Sequence, residues 1–462
     1  MKKQNRVAFF NILSTVLLRS ISVFTAPVIS RLLGDSDYGI VSIYTIWVSA
    51  AAIVFPLESQ ATLVNSRVEY PEEVQPKYQS STMFLSILSF LCFSAVILLF
   101  IHPISNALQL HWGVILLILF HAFGTFSIGF LGNKFTYELK ADKNFLMSVG
   151  VAISTFVLSV GLILLMPQEI KYYGRLLGLA ATYGIIGIGA CIYILAKGKT
   201  FYNREYWKFC LTLSLPMIFY NLSDLLLGQC DRLMLQHMMS ESMVGQYSMA
   251  LNIGGLMFSI FGALNTCWTP FFFDDMKNGK LEEAKTPAKN FLELFTVLSV
   301  GFILLHREVY HIFIGQEFWD GTDLIPIFVT SYFLNFLCTF PVNYEYYRKK
   351  TKMVAVVTIL SSLVNIGLNY ILIQTMGMMG AALATAISHC LQLSFHYGYC
   401  RFVLDKKDYP FGIGLWGKYA LVYLGVVVIT YLTPDAWLLR WGSGAAIGLW
   451  ELYRIKQRKV LI

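Results

Sequence analysis

Residues 211–238, LTLSLPMIFYNLSDLLLGQCDRLMLQHM, carry the strongest structural signal in this sequence. The stretch is apolar and longer than the roughly 20 residues that a helix needs to cross a bilayer. It nevertheless contains Asp224, Asp231 and Arg232. An ionisable side chain in hydrocarbon costs several kcal/mol, so such residues face protein or a water-filled cavity. The stretch therefore predicts a membrane helix that lines a polar cavity, as in a transporter.

Composition places the chain among membrane proteins. Of its 462 residues, 56% are hydrophobic and 13% are charged, and the mean hydropathy is +0.60. A soluble globular protein carries about 25% charged residues, so this chain has too few to cover a water-facing surface. We predict an all-α polytopic membrane protein with about fourteen spans. The predicted spans are residues 8–32, 38–64, 82–102, 113–132, 146–166, 174–196, 209–236, 244–267, 291–313, 323–345, 353–375, 379–400, 415–432 and 435–452.

Lysine and arginine are concentrated in alternate connections between the predicted spans. The basic set includes the N-terminus (Lys2, Lys3), the segment RKK at 348–350 and the C-terminal tail. Because basic loops stay on the cytoplasmic side, both termini are predicted to be cytoplasmic. This distribution accounts for the net charge of +8 without nucleic-acid binding. The N-terminal apolar run lacks a small-residue cleavage site and is expected to remain as the first span.

An internal repeat is visible at an offset of 206 residues. It predicts two lobes of six helices each, residues 1–200 and 201–402, related by an axis along the membrane normal with the substrate site between them. Residues 403–462 would then hold two additional helices and a cytoplasmic tail. The matched pairs are Ser36 with Ser242, Gly39 with Gly245, Gly161 with Gly367, and Gly174 with Gly380.

The polar residues of the seventh predicted span share one helical face. Asn221, Asp224, Gly228 and Asp231 follow the spacing i, i+3, i+7, i+10, which brings them to one side of a helix. Arg232 borders this face. We predict that the face lines the cavity. The alternative is that Asp231 and Arg232 cap the helix at the membrane interface.

Arg19 gives the first predicted span a similar stripe. Together with Asn11, Thr15 and Ser22 it follows the spacing i, i+4, i+8, i+11. Under the repeat the first and seventh spans are equivalent, and a cavity between two lobes needs a polar face on each side. The alternative is that Arg19 pairs with an acidic residue inside its own lobe.

Several other polar residues are weaker candidates. Glu58 lies late in the second predicted span, where Pro56 can free backbone carbonyls for a cavity; a structural ion pair is the alternative. Arg31 is expected near the outer surface, where an interfacial anchor is the simpler interpretation. His121 and His389 have the chemistry of proton relays, although buried histidines that are only hydrogen-bonded are more common.

The sequence contains no pattern that predicts catalysis or a cofactor. It has no Ser/His/Asp set and no metal-ligand spacing. It also lacks the large outer loop with which membrane glycan polymerases and ligases usually bind the acceptor. A GxxxxGK[ST] phosphate loop is also absent, so the chain is not itself an ATP-driven pump. The eight cysteines fall mostly within apolar spans, which is typical of small core residues.

Five segments resemble polysaccharide flippases of the Wzx (O-antigen) type, which belong to the MOP exporter superfamily. They occur in the family's order along most of the chain, and each segment alone matches only approximately. The segments are SRLLGDSDYGIVSIYTIW (30–47), LPMIFYNLSDLLLGQCDRLML (215–235), CWTPFFFDDMKNG (267–279), YYRKKTK (346–352) and MGMMGAALATAIS (376–388). Flippases of this type commonly have twelve helices, so the last two predicted helices depart from the pattern.

The resemblance implies a two-lobed, alternating-access fold and a substrate, a polyprenyl-diphosphate-linked oligosaccharide. It further implies that Arg19, Arg31 and Arg232 hold the diphosphate, because arginine binds phosphate oxygens in a bidentate manner. Tyr44 and Trp47 are predicted to stack on the sugars. Glycosyltransferases and a polymerase of the same pathway are the expected partners.

Two other functions remain open from the sequence. An ion-coupled exporter of small molecules would use Asp224, Asp231 and Glu58 as Na⁺ or H⁺ ligands, and the flippase itself is expected to draw on such a gradient. A membrane enzyme of glycan assembly is the third interpretation. It rests only on the pathways in which such proteins occur.

Overall fold

The structure, a computed structural model, describes residues 25–278, 281–404 and 409–458. Its regular elements over these ranges are all helical, which confirms the all-α fold class. Residues 25–33 form a helix. The α-helices that follow are α1 Asp35–Val54, α2 Leu63–Glu69, α3 Gln75–Leu99, α4 Ile101–Leu108, α5 Trp112–Tyr137, α6 Ala141–Leu165, α7 Lys171–Gly198, α8 Arg204–Met238, α9 Glu241–Lys277, α10 Leu281–Phe313, α11 Ile325–Tyr347, α12 Thr351–Gly398, α13 Ile413–Leu432 and α14 Trp437–Arg458.

Eleven helices of the described ranges are long and apolar enough to cross a membrane. One of them covers residues 352–404 and breaks at Gly377, so it corresponds to the two spans predicted at 353–375 and 379–400. The helix α14, predicted as a span at 435–452, is not among the eleven. Most of the first predicted span lies outside the described residues. The chain is therefore a multi-pass membrane protein.

The chain forms two compact units that divide at Leu233, within α8. In unit 1, residues 1–233, helix α7 packs against α5, α6 and α3. The approach of α5 to α7 is closest at Gly124, where a Cβ would lie 2.2 Å from the Tyr183 carbonyl oxygen. A buried cluster that includes Tyr78, Phe126 and Phe130 fills the space between these helices.

In unit 2, residues 234–462, helices α9 to α12 pack together and α13 and α14 pack on α10. The core of this unit is aromatic. Trp268 of α9 stacks on Phe291 of α10, with ring centroids 5.3 Å apart and planes inclined by 14°. Phe340 of α11 meets the Trp268 ring edge-on at 5.2 Å.

One pair of corresponding helices begins at the offset seen in the sequence. Helix α1 begins at Asp35 and α9 at Glu241, 206 residues later. Other pairs deviate from this offset, since α5 begins at Trp112 and α11 at Ile325, 213 residues later. The predicted lobe boundaries at residues 200 and 402 remain predictions.

A tightly packed helical hairpin occurs in each unit. In unit 1, a Cβ on Gly174 of α7 would lie 2.7 Å from the backbone nitrogen of Ile163 in α6. In unit 2, a Cβ on Gly380 would lie 2.1 Å from the Leu372 carbonyl oxygen. The chain reverses between these two residues at Gly377, whose φ of 56° and ψ of −132° interrupt α12. The two parts of α12 are therefore an antiparallel pair of helices.

Candidate functional site

The end of α1 is a strained turn that contains Glu58. Leu57 and Glu58 both have left-handed backbone angles, with φ of 60° and 46°, although neither is glycine. Each such residue costs roughly 1–2 kcal/mol relative to the right-handed region. The Glu58 amide closes the turn by donating to the Ile53 carbonyl at 3.1 Å. Backbone strain of this kind persists where the surrounding structure holds it in place, and it is concentrated at functional sites.

Hydrogen bonds from α3 and packing against α5 fix this turn. The Ser86 hydroxyl of α3 donates to the Pro56 carbonyl at 2.9 Å and lies 2.6 Å from the Ser59 hydroxyl. The Gln60 side chain rests on α5 at Gly129, where a Cβ would come within 2.6 Å of the Gln60 Oε1. Because a larger residue at 129 would displace Gln60, the glycine helps to place the polar groups of the turn.

The Glu58 carboxylate is buried, with 5% of the residue exposed. Its Oε1 accepts hydrogen bonds from the Asn221 amide of α8 at 3.1 Å and from the Gln60 amide at 3.3 Å. Its Oε2 is also buried, and it accepts no hydrogen bond from the described residues. A buried carboxylate oxygen without a donor is a position where a proton or a small cation stabilises the group. Glu58, predicted separately from the α8 stripe, is thus in direct contact with it.

The remaining residues of the α8 stripe have different environments. Asp224 is exposed and Asn221 is half-buried. Asp231 is also half-buried, and the Cys230 thiol lies 3.4 Å from its Oδ1. The half-buried Arg232 follows directly. The stripe therefore combines one contact inside unit 1, at Asn221, with an exposed carboxylate one turn further along the helix.

Of the arginines proposed for the diphosphate, Arg31 lies on an exposed part of the helix at 25–33. Arg19 lies outside the described residues. The substrate-binding roles of Arg19, Arg31 and Arg232 therefore stay predictions, as do those of Asn221 and the acidic residues.

The buried histidines are hydrogen-bonded to neighbouring helices. His121 Nδ1 lies 3.0 Å from the Tyr44 hydroxyl, which donates to the Leu117 carbonyl at 3.2 Å. His389 Nδ1 lies 2.8 Å from the Ser331 carbonyl. Tyr44 is 0% exposed, so the prediction that its ring stacks on sugars is wrong. The ring is part of the contact between α1 and α5.

The sequence analysis missed three buried charged groups. Lys134 donates to Gln79 and to Glu138, both at 2.5 Å. Glu345 of α11 pairs with His396 of α12 at 2.7 Å. Arg440 of α14 pairs with Glu308 of α10. Two of these pairs join different helices, and Glu308 and Arg440 are 132 residues apart, so spacing along one helix cannot reveal them. Lys134 and Glu138 have the i, i+4 spacing of a helical ion pair, but only the structure shows that Lys134 is buried. Within the described ranges, no group of three or more His, Cys, Asp or Glu side chains could hold a metal ion.

Comparison with solved structures defines the class of the fold. The chain superimposes on lipid II flippase MurJ in an inward closed conformation with a TM-score of 0.70 and 18% identity, over 98% of this chain and 99% of that one. An inward-facing multidrug resistance MATE family transporter of the MOP superfamily gives a TM-score of 0.63 and 16% identity, over 84% and 96% of the two chains. The protein therefore has the same all-helical fold as these two proteins.

A family model described as polysaccharide biosynthesis protein matches residues 6–276. Since this match covers more than half of the chain, the protein belongs to that family. An uncharacterized membrane protein of Haemophilus influenzae is 26% identical over 176 residues, which are 37% of this chain and 43% of the relative. The match thus spans less than half of that relative. A Lsg locus protein of the same organism is 24% identical over 358 residues, 73% of this chain and 83% of that protein.

Proposed function

We propose that the protein is a flippase that moves polyprenyl-diphosphate-linked oligosaccharide repeat units across the cytoplasmic membrane by alternating access, for surface polysaccharide biosynthesis. The family description supports the pathway, and the similar fold of a protein named lipid II flippase supports a lipid-linked substrate. A diphosphate and its sugars cannot cross hydrocarbon unaided, because removing ions and hydroxyls from water is prohibitive. Both termini are proposed to be cytoplasmic.

The observation that carries this proposal is the exposed carboxylate of Asp224 on α8. Residues 204–226 are long and apolar enough to span the membrane, and only 11% of their most apolar window is buried. An exposed ionisable group at such a position is stable beside water and strongly unfavourable beside lipid. We therefore assign the Asp224 side of α8 to a water-filled substrate cavity, with Asn221 and Asp231 as further sugar contacts.

Arg19, Arg31 and Arg232 are proposed to bind the diphosphate. Guanidinium groups supply parallel hydrogen bonds to phosphate oxygens. The Glu58 carboxylate is proposed to couple transport to an H⁺ or Na⁺ gradient, because its unpaired Oε2 lies next to the Asn221 contact on α8. Glycosyltransferases that build the repeat unit and a polymerase that consumes it are the proposed partners.

Deletion of the gene tests the function. The deletion strain should lose surface polymer and accumulate lipid-linked repeat units. Thin-layer separation of extracted lipids measures this accumulation. Normal polymer without such accumulation would contradict the flippase. Increased drug susceptibility in the same strain would instead favour a small-molecule exporter, which the fold shared with a multidrug MATE transporter makes the relevant second candidate.

Complementation of this strain tests the site. We expect Asp224→Asn to restore less than about a tenth of the surface polymer, because loss of one well-placed charge-assisted contact costs about 1.5–3 kcal/mol. The matched control is Glu205→Gln. Glu205 is an exposed acidic residue in the first turn of the same helix, and its variant should restore the polymer fully. Equal complementation by both variants would remove Asp224 from the site.

A further inference from the structure

The helices α13 and α14 extend the second unit beyond the six-helix repeat, and a polar cavity lies where they meet α10 and α11. Its volume is about 220 Å³. It opens between the C-terminal part of α10, the start of α11, the end of α13 and the start of α14. The basic loops that follow α11 and α14 lie at the opposite ends of these helices. With the proposed orientation, the cavity faces the outside of the cell.

Arg440 supplies the buried wall of this cavity. Its side chain is 0% exposed, and its Nη2 donates to Glu308 Oε1. The second Glu308 oxygen accepts from the Trp441 indole at 3.1 Å, so this carboxylate is held by two donors. The Arg440 Nε and Nη1 are buried and donate to no group of the described residues. Burial of such donors without an acceptor is unfavourable, so a ligand that accepts hydrogen bonds from them would be stabilised.

The outer wall offers acceptors and a further cation. Arg307 Nη1 lies 3.4 Å from Asp323 Oδ1, and 54% of the Asp323 side chain is exposed. The Tyr431 hydroxyl donates to the Asp323 backbone carbonyl at 2.5 Å, which holds the phenol ring at the rim. The rings of Pro326 and Pro434 also line the cavity. The site therefore combines donors, acceptors and small apolar faces.

The balance of charge identifies the class of ligand. The two guanidinium groups are matched by the carboxylates of Glu308 and Asp323, so the cavity has no excess positive charge. A phosphate only accepts hydrogen bonds and would be repelled by Asp323. Pyranose hydroxyls both donate and accept, and the C–H faces of the ring pack on Tyr431 and proline. The volume is below the range of about 300–1,000 Å³ that holds drug-sized ligands, and it suits one sugar residue.

We infer that this cavity binds a single neutral sugar residue of the transported glycan at the external face, with Arg440 and Asp323 as its polar contacts. This inference rests on the proposed function for the origin of the sugar. It gives α13 and α14 a role, because Arg440, Tyr431 and Pro434 all come from these two helices or their connection.

Binding to the full-length protein in lipid nanodiscs tests the inference. The probes are the methyl pyranosides of glucose, galactose, mannose and N-acetylglucosamine, with inorganic diphosphate as the anionic comparison. Saturation-transfer proton NMR should detect at least one pyranoside. Diphosphate has no carbon-bound protons and is followed by phosphorus NMR line broadening, and any diphosphate binding should be the same in the wild type and in the variants of this cavity. Asp323→Asn, and the double variant Arg440→Met with Glu308→Met, should each weaken sugar binding by about tenfold or more. The double variant removes both charges together, which avoids leaving Glu308 without its charged partner.

A second ion pair on the same two helices provides the control. Arg454 of α14 pairs with Glu293 of α10 at the other end of these helices, and the double variant Arg454→Met with Glu293→Met should bind sugar as the wild type does. Diphosphate binding that the double variant Arg440→Met with Glu308→Met abolishes, without sugar binding, would overturn the inference in favour of an anion site. The absence of sugar binding, or binding that survives both cavity variants, would reduce Arg440 to a structural residue. The deletion strain separates the two proposals, since it reports on flipping without reference to Arg440.

Discussion

The two helical hairpins, α6–α7 in unit 1 and the two parts of α12 in unit 2, share their packing and differ in their connection. Gly174 and Gly380 stand at equivalent positions, and in both a Cβ would collide with backbone of the facing helix. The unit 1 hairpin is joined by a short segment that contains the turn Gln168–Ile170, whereas the unit 2 hairpin reverses at Gly377 alone. The contact between helices has thus been retained while the loop has changed.

The glycine match at 161 and 367 behaves differently from the match at 174 and 380. A Cβ on Gly161 or on Gly367 would meet nothing within 4 Å, and both residues are exposed. Helix packing therefore explains the glycine at 174 and 380, and it gives no reason for the glycine at 161 and 367. Identical residues at the repeat offset indicate that the two halves have a common origin. The structure is needed to tell which of these glycines are required by a close contact between helices.

The largest effect is expected when either tight hairpin is filled. Gly174→Leu and Gly380→Leu should each prevent folding, because backbone atoms at 2.7 Å and 2.1 Å from the new Cβ cannot move aside as a flexible side chain can. The controls are Gly161→Leu and Gly367→Leu in the same hairpins, which should fold with a melting temperature equal to or slightly above that of the wild type. Yield of monodisperse protein after detergent extraction measures the outcome. Folding of the Gly380 variant alone would show that the two hairpins pack differently.

The two units also differ in the buried charges near their basic loops. In unit 1, Glu138 accepts from Lys134 and from Lys140, both at 2.5 Å. Burial raises the pKa of the Glu138 carboxyl, but these two hydrogen bonds outweigh it, and the pKa falls below its ordinary value. In unit 2, Glu345 and His396 are both fully buried, and neither Glu345 Oε2 nor His396 Nε2 has a hydrogen-bond partner in the described chain.

Loss of one partner should therefore be more harmful in unit 2. His396→Leu leaves Glu345 buried with only the Cys400 thiol, 3.7 Å from its Oε1, and breaking a buried pair in this way costs about 3–5 kcal/mol. Lys134→Met should cost less, since Lys140 continues to pair with Glu138. Melting temperatures in detergent compare the two variants. The double variant Glu345→Met with His396→Leu should recover most of the loss, and failure to do so would mean that the site is sensitive to shape and not to charge.

The smallest effect is expected at the connection itself. Gly377→Ala should lower the free energy of unfolding by about 1–3 kcal/mol, because its backbone angles are accessible almost only to glycine. Space is not the cause, since the nearest atom to a Cβ would be Met243 Sδ at 4.0 Å. Gly367→Ala on the same helix should instead raise stability slightly, by up to about 1 kcal/mol. Equal effects of the substitutions at 367 and 377 would show that the loss of stability at Gly377 does not come from its backbone angles.

Sequence patterns predicted the helices well, because helices depend on local periodicity and length. No tertiary information is needed to recognise the length of a membrane-spanning helix, the alternation of basic loops or the 206-residue offset. The polar contacts were harder to predict. Glu58 and Asn221 were recognised separately, but their contact depends on the left-handed turn after α1, which breaks the helical pattern. Arg440 stands among apolar residues near the start of α14, and its partner Glu308 belongs to a helix more than a hundred positions earlier.

The single-residue turn at Gly377 has a consequence for membrane insertion during synthesis. A helix of the length of α12 is about 72 Å when straight, more than twice the hydrocarbon thickness of about 30 Å. Because one glycine joins its two parts, no hydrophilic linker allows the first part to settle across the bilayer while the second waits in water. The hairpin is therefore expected to enter the lipid as one unit, after both of its helices have been synthesised.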